Sequence, residues 1–311
     1  MTTARVGVVV MAYGTPATPD AIEPYYTHIR RGRPPTPEQL ADLTARYEAI
    51  GGTSPLAERT EGQRAAIARR LDEVEPGRYV VRLGQKHAAP FIEDGVAALT
   101  ADGVVGIVGV VLAPHWSKAS IGQYDERAAE AAAAASLPYV GVERWGDLPA
   151  FVEHQAASLR EVLGAMPPAT KVVFTAHSLP ERALEGDPYP DELHSSAAAI
   201  AARAGLNPWG DWGLAWQSAG RTPEPWRGPD ILTVIADLAE TGRAEGLVVV
   251  PQGFTSDHLE VVYDLDIEAR RRAGEHGLAF ARTEVVNADA HVMDALADRV
   301  IDTARRLDAA T

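Results

Sequence analysis

The strongest constraint on the fold of this 311-residue chain is a regular alternation of short β-branched runs with longer amphipathic segments. The short runs predict eight strands: Val6–Ala12, Arg78–Leu83, Val104–Leu112, Tyr139–Val142, Lys171–Ala176, Gly213–Gln217, Gly246–Val250 and Leu278–Ala281. The longer segments predict helices at Pro37–Ala49, Pro55–Glu73, Gln123–Ala135, Leu148–Gly164, Pro190–Ala204, Ile231–Thr241, Ser256–Ala273 and Ala290–Leu307. This alternation is typical of parallel sheets wrapped by helices. We therefore predict an α/β fold of two similar Rossmann-like lobes, each a four-stranded parallel sheet flanked by helices.

The chain is long enough for two domains of ordinary size. We predict an N-terminal lobe over residues 1–148, with a C-terminal helix at 288–311 that packs back on it. A C-terminal lobe then covers residues 149–287, although no internal sequence repeat proves the division. Ligands of open α/β folds bind beyond the carboxyl ends of the strands, so we expect an active-site cleft between the lobes.

Composition excludes several classes of function. A formal net charge of -14 argues against a nucleic-acid binder, which needs Lys and Arg to neutralise phosphates, and against binding to acidic membranes. The chain contains no cysteine, which excludes disulfides, thiolate zinc sites, cysteine nucleophiles and cysteine-ligated iron–sulfur clusters. The apolar run Val105–Ala113 is about half the length of a transmembrane helix, and MTTARVGVVVMAYG predicts a strand instead of a signal peptide. We therefore expect a cytoplasmic protein.

Two separate strings carry candidate metal ligands. FTAHSLPE places His177 directly after a predicted strand, and DHLEVVYDLDIE places Glu260 near the start of a predicted helix. An imidazole and a carboxylate can bind a divalent ion of borderline softness such as Fe2+ and still release it. On a helix, Glu260, Asp264 and Glu268 lie at i, i+4 and i+8 and so form an acidic ladder along one face.

The same residues also permit purely structural interpretations. Asp257 and Glu260 match a capping box, in which Asp257 is the N-cap and Glu260 bonds back to its amide. His177 could equally cap the end of a strand. Other predicted strands are also followed by polar residues, which favours the functional interpretation because ligands of such folds bind at strand ends. These residues are Tyr13, Lys86, His87, His115 and the segment 253–258.

The segment HIRRGRPP places Arg30, Arg31 and Arg33 together in an acidic chain, and Arg46 follows on the next predicted helix. Arginine is suited to bidentate capture of carboxylates, so this segment fits a planar, apolar ligand with an anionic rim. The chain has no GxGxxG, GxxxxGK[ST], HExxH or GxSxG motif. The sequence therefore contains no motif that supports nucleotide binding, zinc proteolysis or serine hydrolysis.

Several long strings together resemble the ferrochelatase family. They are VVVMAYGTPATPDAIEPYYTHIRRGRPPTPEQLADLTARYEAIGGTSPLAERT, LGQKHAAPFIEDGV, LAPHWSKASIGQYDERA, FTAHSLPERALEGDPYPDELHSSA, WQSAGRTPEPWRGPD and VPQGFTSDHLEVVYDLDIE. The resemblance spans nearly the whole chain. It is to the soluble bacterial type that inserts iron into coproporphyrin III.

The resemblance implies a monomeric two-lobed chelatase fold and assigns roles to individual residues. His177 and Glu260 match the pair that faces each other across the porphyrin cleft, as catalytic groups and metal ligands. Asp264 and Glu268 match an acidic ladder that binds or delivers metal ions. Tyr13 matches a tyrosine that approaches the product iron axially. The positions that match contacts to the macrocycle or its propionates are Arg30, Arg46, Tyr47, Ser54 and Tyr124.

The implied activity is a lyase reaction that inserts Fe2+ into coproporphyrin III, forming Fe-coproporphyrin III in heme biosynthesis. Protoporphyrin IX ferrochelatase and a non-catalytic tetrapyrrole or metal carrier are the alternatives. We expect no cofactor, because Fe2+ is a substrate and the cysteine-bound [2Fe-2S] cluster of some relatives has no ligands here. The polar strings MAYGTP and RRGRPP stand where membrane-associated relatives carry an apolar lip. The expected partners are coproporphyrin III, Fe2+ and, transiently, the next heme-pathway enzyme, with no nucleic acid and no stable membrane insertion.

Overall fold

A computed structural model of the chain describes residues 4–220 and 222–310, except for the side chains of residues 308–310. Residues 1–3 of the predicted N-terminal lobe and residue 311 of the predicted C-terminal helix lie outside the described residues. The chain divides into two compact units. Unit 1 contains the described residues up to Ala113, then Lys118–Trp145, and the chain from Asn287 onward, whereas unit 2 contains Pro114–Ser117 and Gly146–Val286.

Unit 1 is built on a four-stranded parallel sheet in the order β2-β1-β3-β4. Its strands are β1 (Val6–Ala12), β2 (Tyr79–Gln85), β3 (Ile107–Val111) and β4 (Tyr139–Val142). Its helices are α1 (Ile22–Ile29), α2 (Pro37–Ala49), α3 (Leu56–Val74), α4 (Ile92–Ala101), α5 (Ile121–Ala134) and α11 (Ala290–Ala310). Every residue of β1 is buried, as expected for a central parallel strand that is covered on both faces.

Unit 2 repeats this architecture with a parallel sheet in the order β6-β5-β7-β8. Its strands are β5 (Thr170–His177), β6 (Trp212–Gln217), β7 (Gly246–Val250) and β8 (Ala279–Arg282). Its helices are α6 (Pro149–Leu163), α7 (Tyr189–Ala204), α8 (Ile231–Glu240), α9 (Leu259–Val261) and α10 (Arg270–Glu275), with a π-helical segment, Val262–Ala269, joining the last two. Its most buried strand, β7, reads GLVVV, the continuous apolar run of a strand with two covered faces.

All eight predicted strands are present, and the predicted fold class of two four-stranded parallel sheets flanked by helices is confirmed. Two helices, α1 and α4, are not among those predicted from the sequence pattern. Gly95 lies within α4 and lowers its intrinsic helix propensity. A Cβ at that position would lie 2.7 Å from the carbonyl oxygen of Leu83, so glycine there allows the helix to approach strand β2 closely. Packing against β2 therefore stabilises this helix in spite of its low local helix propensity.

Helix α11 is amphipathic and belongs to unit 1. Val292, Leu296 and Val300 are fully buried on its apolar face. Its charged face carries Asp294 and Asp298, which form ion pairs of 2.5 Å and 3.0 Å with two arginines of α3, Arg69 and Arg70 respectively. Within the described residues, no helix has both the length and the apolar character needed to cross a membrane.

The strand order places a topological switch point in each sheet. In unit 2 it lies between β5 and β7, because the connections from these neighbouring strands leave in opposite directions along the sheet. The corresponding point in unit 1 lies between β1 and β3. Loops separate at such points and leave room for a ligand beyond the carboxyl ends of the strands. Tyr13 follows β1 and His177 ends β5, so one candidate residue stands at each switch point.

Candidate active site

The end of β5 carries the first candidate group in unit 2. His177 is the last residue of this strand, and its ladder partner on β6 is Gln217. The loop that leaves β7 passes directly beside this strand end, where the Gly253 amide donates a 3.1 Å hydrogen bond to the carbonyl of Thr175. A Cβ on Gly253 would lie 2.5 Å from the Cβ of Ala176, so glycine is required for this approach. The same loop continues to Glu260, which is thereby brought to His177.

The imidazole of His177 is held in one tautomer. Its Nδ1 lies 2.5 Å from the carbonyl oxygen of Ser178, and a carbonyl can only accept, so Nδ1 carries a proton. Its Nε2 faces Glu260, with 3.6 Å between Nε2 and Oε1. When the ring is neutral, Nε2 therefore holds the free lone pair. An imidazole fixed in this way presents a base or a metal ligand toward the carboxylate.

Charge is strongly coupled in this pair. Burial favours the neutral form of His177, but the negative charge of Glu260, the Ser178 carbonyl and Asp264 outweigh burial and raise the pKa of His177 to about 9. Burial would likewise raise the pKa of Glu260, but the facing imidazoles of His177 and His258 hold it well below its usual range. At neutral pH the pair is therefore an imidazolium and a carboxylate, and each side chain remains about one-third exposed to solvent.

The structure contradicts the capping-box interpretation of Glu260. Helix α9 begins at Leu259 with His258 at the N-cap position, and no side chain caps it. The predicted helix start at Ser256 is therefore wrong by three residues. Asp257, the supposed cap, instead accepts a 3.0 Å hydrogen bond from Nη2 of Arg282. The carboxylate of Glu260 is turned toward His177 instead of back to the amide of Asp257.

A second imidazole flanks Glu260. Nε2 of His258 lies 3.7 Å from Oε2 of Glu260, on the other carboxylate oxygen from the one that faces His177. Its Nδ1 donates a 2.8 Å hydrogen bond to the Ser256 carbonyl, so this ring is held in the same tautomer as His177. The side chain of His258 is only 17% exposed. Glu260 therefore lies between two imidazoles that each present Nε2 to it.

Asp264 and Glu268 of the acidic ladder lie on a π-helical segment, where an α-helix was predicted, and Glu260 lies on α9 just before it. Hydrogen bonds in a π-helix run from residue i to i+5, so its turn is wider than the 3.6 residues of an α-helix. Asp264 and Glu268, four residues apart within this segment, are therefore about one turn from each other. Asp264 is 6% exposed and accepts a 2.5 Å hydrogen bond from the Ser218 hydroxyl, whereas Glu268 is partly exposed.

Unit 1 brings a different set of side chains together. Tyr13 follows β1 and is 42% exposed. The centre of its ring lies 4.6 Å from the centre of the His87 ring. The neighbouring ammonium of Lys86 lies 4.9 Å from the ring centre of the buried Tyr124. Nδ1 of His87 is 3.0 Å from Nδ1 of His28. Tyr13 and Tyr124 are thus joined through two consecutive residues at the end of β2.

The electrostatics of this cluster are opposite to those around His177. Burial, reinforced by the positive charges of Lys86 and Arg127, lowers the pKa of His87 to about 3. Burial, Arg127 and Arg31 lower the pKa of Lys86 to about 8. At neutral pH His87 is therefore a neutral imidazole, whereas Lys86 remains mostly a protonated ammonium.

The other predicted porphyrin-contact residues of unit 1 lie in the excursion between β1 and β2. Arg30 follows α1 and places its guanidinium 5.6 Å from the ring centre of Tyr26. Arg46 pairs with Asp42 one turn earlier on α2 at 3.3 Å. Two others are buried: the Tyr47 hydroxyl lies 3.4 Å from Thr15 Oγ1, and Ser54 Oγ accepts a 3.2 Å hydrogen bond from the Leu56 amide.

A family model described as Ferrochelatase matches residues 5–304. The chain belongs to the ferrochelatase family. It is therefore a metal chelatase of the lyase class, and the resemblance found in the sequence is confirmed. It is 44% identical over 308 residues to the Coproporphyrin III ferrochelatase of Bacillus subtilis, covering 97% of this chain and 98% of that one. The Coproporphyrin III ferrochelatase of Geobacillus kaustophilus is 45% identical over 302 residues, with 95% of each chain covered.

Solved chelatase structures share the fold of this ferrochelatase family member. SirB from Bacillus subtilis with Fe3+ superposes with a TM-score of 0.59 at 14% identity, covering 98% of both chains. CbiX, described as the terminal enzyme for biosynthesis of siroheme in denitrifying bacteria, superposes with a TM-score of 0.54 at 15% identity, covering 95% of this chain and 98% of that one. At these identities the likeness concerns the fold alone.

The structure also reveals site residues of this ferrochelatase family member that sequence reasoning missed. His258 was predicted only as part of the polar segment 253–258 and as a neighbour of a helix cap, Gln217 only as the end of a strand, and Ser218 was assigned no role. A signal for Gln217 was present, because a glutamine that closes an apolar strand must find a buried partner. Among the described residues, no group of three or more His, Asp or Glu has the arrangement of a metal-holding cluster.

Proposed function

We propose that this protein inserts Fe2+ into coproporphyrin III, with His177 and Glu260 as the catalytic pair. The observation that carries the proposal is the His177–Glu260 geometry, in which the Ser178 carbonyl orients the imidazole so that Nε2 points at the carboxylate. Metal insertion requires a base for the pyrrole protons and ligands that hold the ion only briefly. One imidazole nitrogen and one carboxylate oxygen supply both, because neither binds iron as firmly as a thiolate set does.

The charge state of the pair sets the order of events. Nε2 of His177 is protonated at neutral pH, because Glu260 and its neighbours outweigh burial and raise the pKa of His177. It must lose that proton before it can bind Fe2+ or accept a pyrrole proton. An approaching cation favours this loss, because it competes with the imidazolium for the charge of Glu260. His258, on the second oxygen of Glu260, is placed to take up or pass on a proton.

The acidic ladder supplies a route for the ion in this proposal. Asp264 and Glu268 follow Glu260 at intervals of four residues along the helix, so each carboxylate is about one turn from the next. Carboxylate oxygens bind hydrated divalent ions, and a row of them offers successive weak sites. We assign Asp264 and Glu268 to metal delivery and Glu260 to the reaction itself.

Unit 1 supplies the porphyrin-binding residues in this proposal. Coproporphyrin III carries four propionates, whereas protoporphyrin IX carries two propionates and two vinyl groups. Arg30 and Arg46 are partly exposed cations that suit carboxylates, and the ring of Tyr13 is exposed. The relatives at 44% and 45% identity that are named coproporphyrin III ferrochelatases support this choice of substrate. The macrocycle contacts assigned to Tyr47, Ser54 and Tyr124 belong to the same proposal.

We further propose that the enzyme needs no resident cofactor. The absence of cysteine from the whole sequence removes the ligands for the cluster of some relatives, so the purified protein should contain no acid-labile sulfide. A monomer in the cytoplasm, with transient contact to the next enzyme of heme biosynthesis, completes the proposal.

Anaerobic incubation with Fe2+ and coproporphyrin III tests the proposed function. The free-base absorption spectrum should convert to that of the metalloporphyrin at a rate proportional to enzyme concentration. Binding of the porphyrin without this conversion would support the alternative of a non-catalytic carrier. Comparing kcat/KM for coproporphyrin III and protoporphyrin IX, with aggregation controlled, tests the substrate. Equal values would leave only general ferrochelatase activity.

A further inference from the structure

We propose that the end of β6, residues Gln217 and Ser218, is a positioning clamp for the catalytic carboxylate and the first carboxylate of the acidic ladder. Gln217 holds the main chain of Glu260, and Ser218 holds the side chain of Asp264. This inference rests on the proposed function, because it assigns a task to residues that act through Glu260 and Asp264. Neither clamp residue is expected to touch the reacting atoms.

Gln217 connects both members of the catalytic pair. Its backbone is the ladder partner of His177, and its carbonyl accepts a 2.8 Å hydrogen bond from the amide of Ser178. Its side-chain Nε2 donates a 2.7 Å hydrogen bond to the main-chain carbonyl of Glu260. Gln217 is 1% exposed, so water does not compete for this contact. A single buried residue therefore links the strand end that carries His177 to the main chain of Glu260.

Ser218 makes the second contact from a backbone conformation that is rare for its type. Its φ is +60°, in the left-handed region that side-chain-bearing residues seldom adopt. In this conformation its hydroxyl donates a 2.5 Å hydrogen bond to Oδ2 of Asp264. Unfavourable backbone conformations persist where surrounding contacts enforce them, and they cluster at functional sites. The two residues that the clamp contacts, Glu260 and Asp264, are four positions apart, so the contacts fix about one helical turn.

The two contacts should control different kinetic quantities. A shift of Glu260 changes the geometry of proton removal and metal insertion, so loss of the Gln217 contact should lower kcat. A shift of Asp264 changes how the ion reaches the site, so loss of the Ser218 contact should raise the KM for Fe2+. The KM for porphyrin should not change in either case, because the residues proposed to bind the porphyrin lie in unit 1.

The chain offers a matched control for Gln217. Gln252 follows β7, is 0% exposed, and donates a 3.0 Å hydrogen bond from Nε2 to the main-chain carbonyl of Leu193 on α7. Gln217→Met and Gln252→Met therefore remove the same kind of buried contact from different helices. We expect Gln217→Met to lower kcat roughly 10- to 100-fold, because a small displacement of a catalytic group can cost about that much. Gln252→Met should retain its kcat even if it loses thermal stability.

Ser218→Ala and Ser218→Gly separate the hydroxyl from the backbone strain. Both lose the hydrogen bond to Asp264, but only glycine adopts the left-handed conformation without steric cost. We expect both variants to raise the KM for Fe2+ by a similar factor, roughly 2- to 10-fold, the typical net value of one intramolecular hydrogen bond, because this bond positions Asp264 and does not itself contact the ion. Their melting temperatures should differ, with the glycine variant the more stable. If only the alanine variant is impaired, strain and not the hydroxyl is responsible, which overturns this arm of the proposal.

The failures of the two proposals are distinguishable. The variants are assayed with whichever porphyrin and metal the wild type uses, with Glu260→Gln as a reference. A wild type that forms no metalloporphyrin overturns the proposed function and the clamp with it. A wild type that is active, a Glu260→Gln enzyme with a strongly reduced kcat and a Gln217→Met enzyme with normal kcat overturn the clamp alone. Equal losses of kcat in Gln217→Met and Gln252→Met also overturn it, because the effect would then be general to buried glutamines.

Discussion

The two units have the same sheet order but opposite chemistry at their strand ends. In unit 1, Tyr13 and His87 lie beside Lys86, Arg127 and other cationic groups. In unit 2, the end of β5 meets carboxylates instead. The strand topology that creates a ligand site is therefore shared, while the residues placed at the strand ends decide what each unit can bind.

The histidines show this contrast most directly. Burial and neighbouring cations lower the pKa of His87 to about 3, so its ring stays neutral. His177 is also penalised by burial, but Glu260 and Asp264 reverse the balance and raise its pKa to about 9. The same side chain is thus uncharged at neutral pH in one unit and protonated in the other. The assignment of porphyrin binding to unit 1 and metal chemistry to unit 2 follows this division.

Removing the imidazole of unit 2 should have the largest effect. We expect His177→Ala to lower iron insertion about 100- to 10,000-fold, the range typical for loss of a general base. Porphyrin affinity, measured by fluorescence titration, should remain close to wild type. His291→Ala, at an exposed histidine of unit 1, is the control. Normal turnover by His177→Ala would remove the chemical distinction between the units.

The pH dependence should show the charge on His177. Because Nε2 must be free of its proton to act, kcat/KM for the metal should rise with pH toward the pKa of His177, about 9. Glu260→Gln removes the main group that stabilises the imidazolium, so the rising limb should move to lower pH. NMR titration of the imidazole, assigned by comparison with His177→Ala, measures the same shift without turnover. If Glu260→Gln shifts neither the pH profile of kcat/KM nor the titration of the imidazole, the charge of Glu260 does not control the protonation of His177.

Removing a cation of unit 1 should have a smaller effect, confined to the porphyrin. We expect Arg46→Ala to lower kcat/KM for coproporphyrin III roughly 10-fold, the value of one charged hydrogen bond reduced for partial exposure. The dependence on Fe2+ concentration should stay unchanged. Asp42→Ala is the matched control, because it removes the ion-pair partner and leaves the guanidinium in place. If Arg46→Ala binds coproporphyrin III like wild type, Arg46 has no part in the porphyrin site.

Within unit 2, the ladder carboxylates should be less important than Glu260. Asp264→Asn and Glu268→Gln should raise the KM for Fe2+ roughly 2- to 10-fold, because each removes one charge from a row of weak metal contacts. Their kcat at saturating metal should be close to wild type, whereas Glu260→Gln should lose kcat. Equal losses of kcat in Glu260→Gln, Asp264→Asn and Glu268→Gln would show that metal delivery and metal insertion are not assigned to different carboxylates.

The smallest expected effect on activity comes from a change that alters only the stability of unit 1. Asp125 accepts a 2.6 Å hydrogen bond from the Tyr139 hydroxyl, and burial, together with nearby Glu143, raises the pKa of Asp125 to about 6 in spite of that bond. The folded state therefore binds this proton more tightly than the unfolded state. Its stabilising contribution is present at low pH and is lost as pH rises from about 4 to about 6.

Asp125→Asn should accordingly raise the free energy of unfolding by about 1 to 3 kcal/mol at pH 7, since one pKa unit corresponds to about 1.4 kcal/mol. Urea unfolding at several pH values measures this effect. The difference from wild type should disappear below about pH 4, where the carboxyl is protonated in both states. A difference that is independent of pH would show that packing, and not ionisation, separates the two proteins.

Much of the fold could be predicted because its signal is local. The apolar, β-branched runs identify all eight strands, and their alternation with helices implies parallel sheets. His177 and Tyr13 were recognisable as candidates because each stands at the carboxyl end of a strand. Helix α4 was not predicted, because Gly95 lowers its propensity and only packing against β2 explains the residue.

The sequence by itself therefore determined the fold class, the strands and the family, since these depend on periodicity and on long matching strings. Only the tertiary structure decided which polar groups meet. His258, Gln217 and Ser218 reach Glu260 and Asp264 because the ends of β5 and β6 converge with the loop that leaves β7. The wider π turn and the fixed tautomer of the imidazole are likewise outcomes of packing. Contacts of about 3 Å between groups distant in sequence depend on that convergence, which no local pattern encodes.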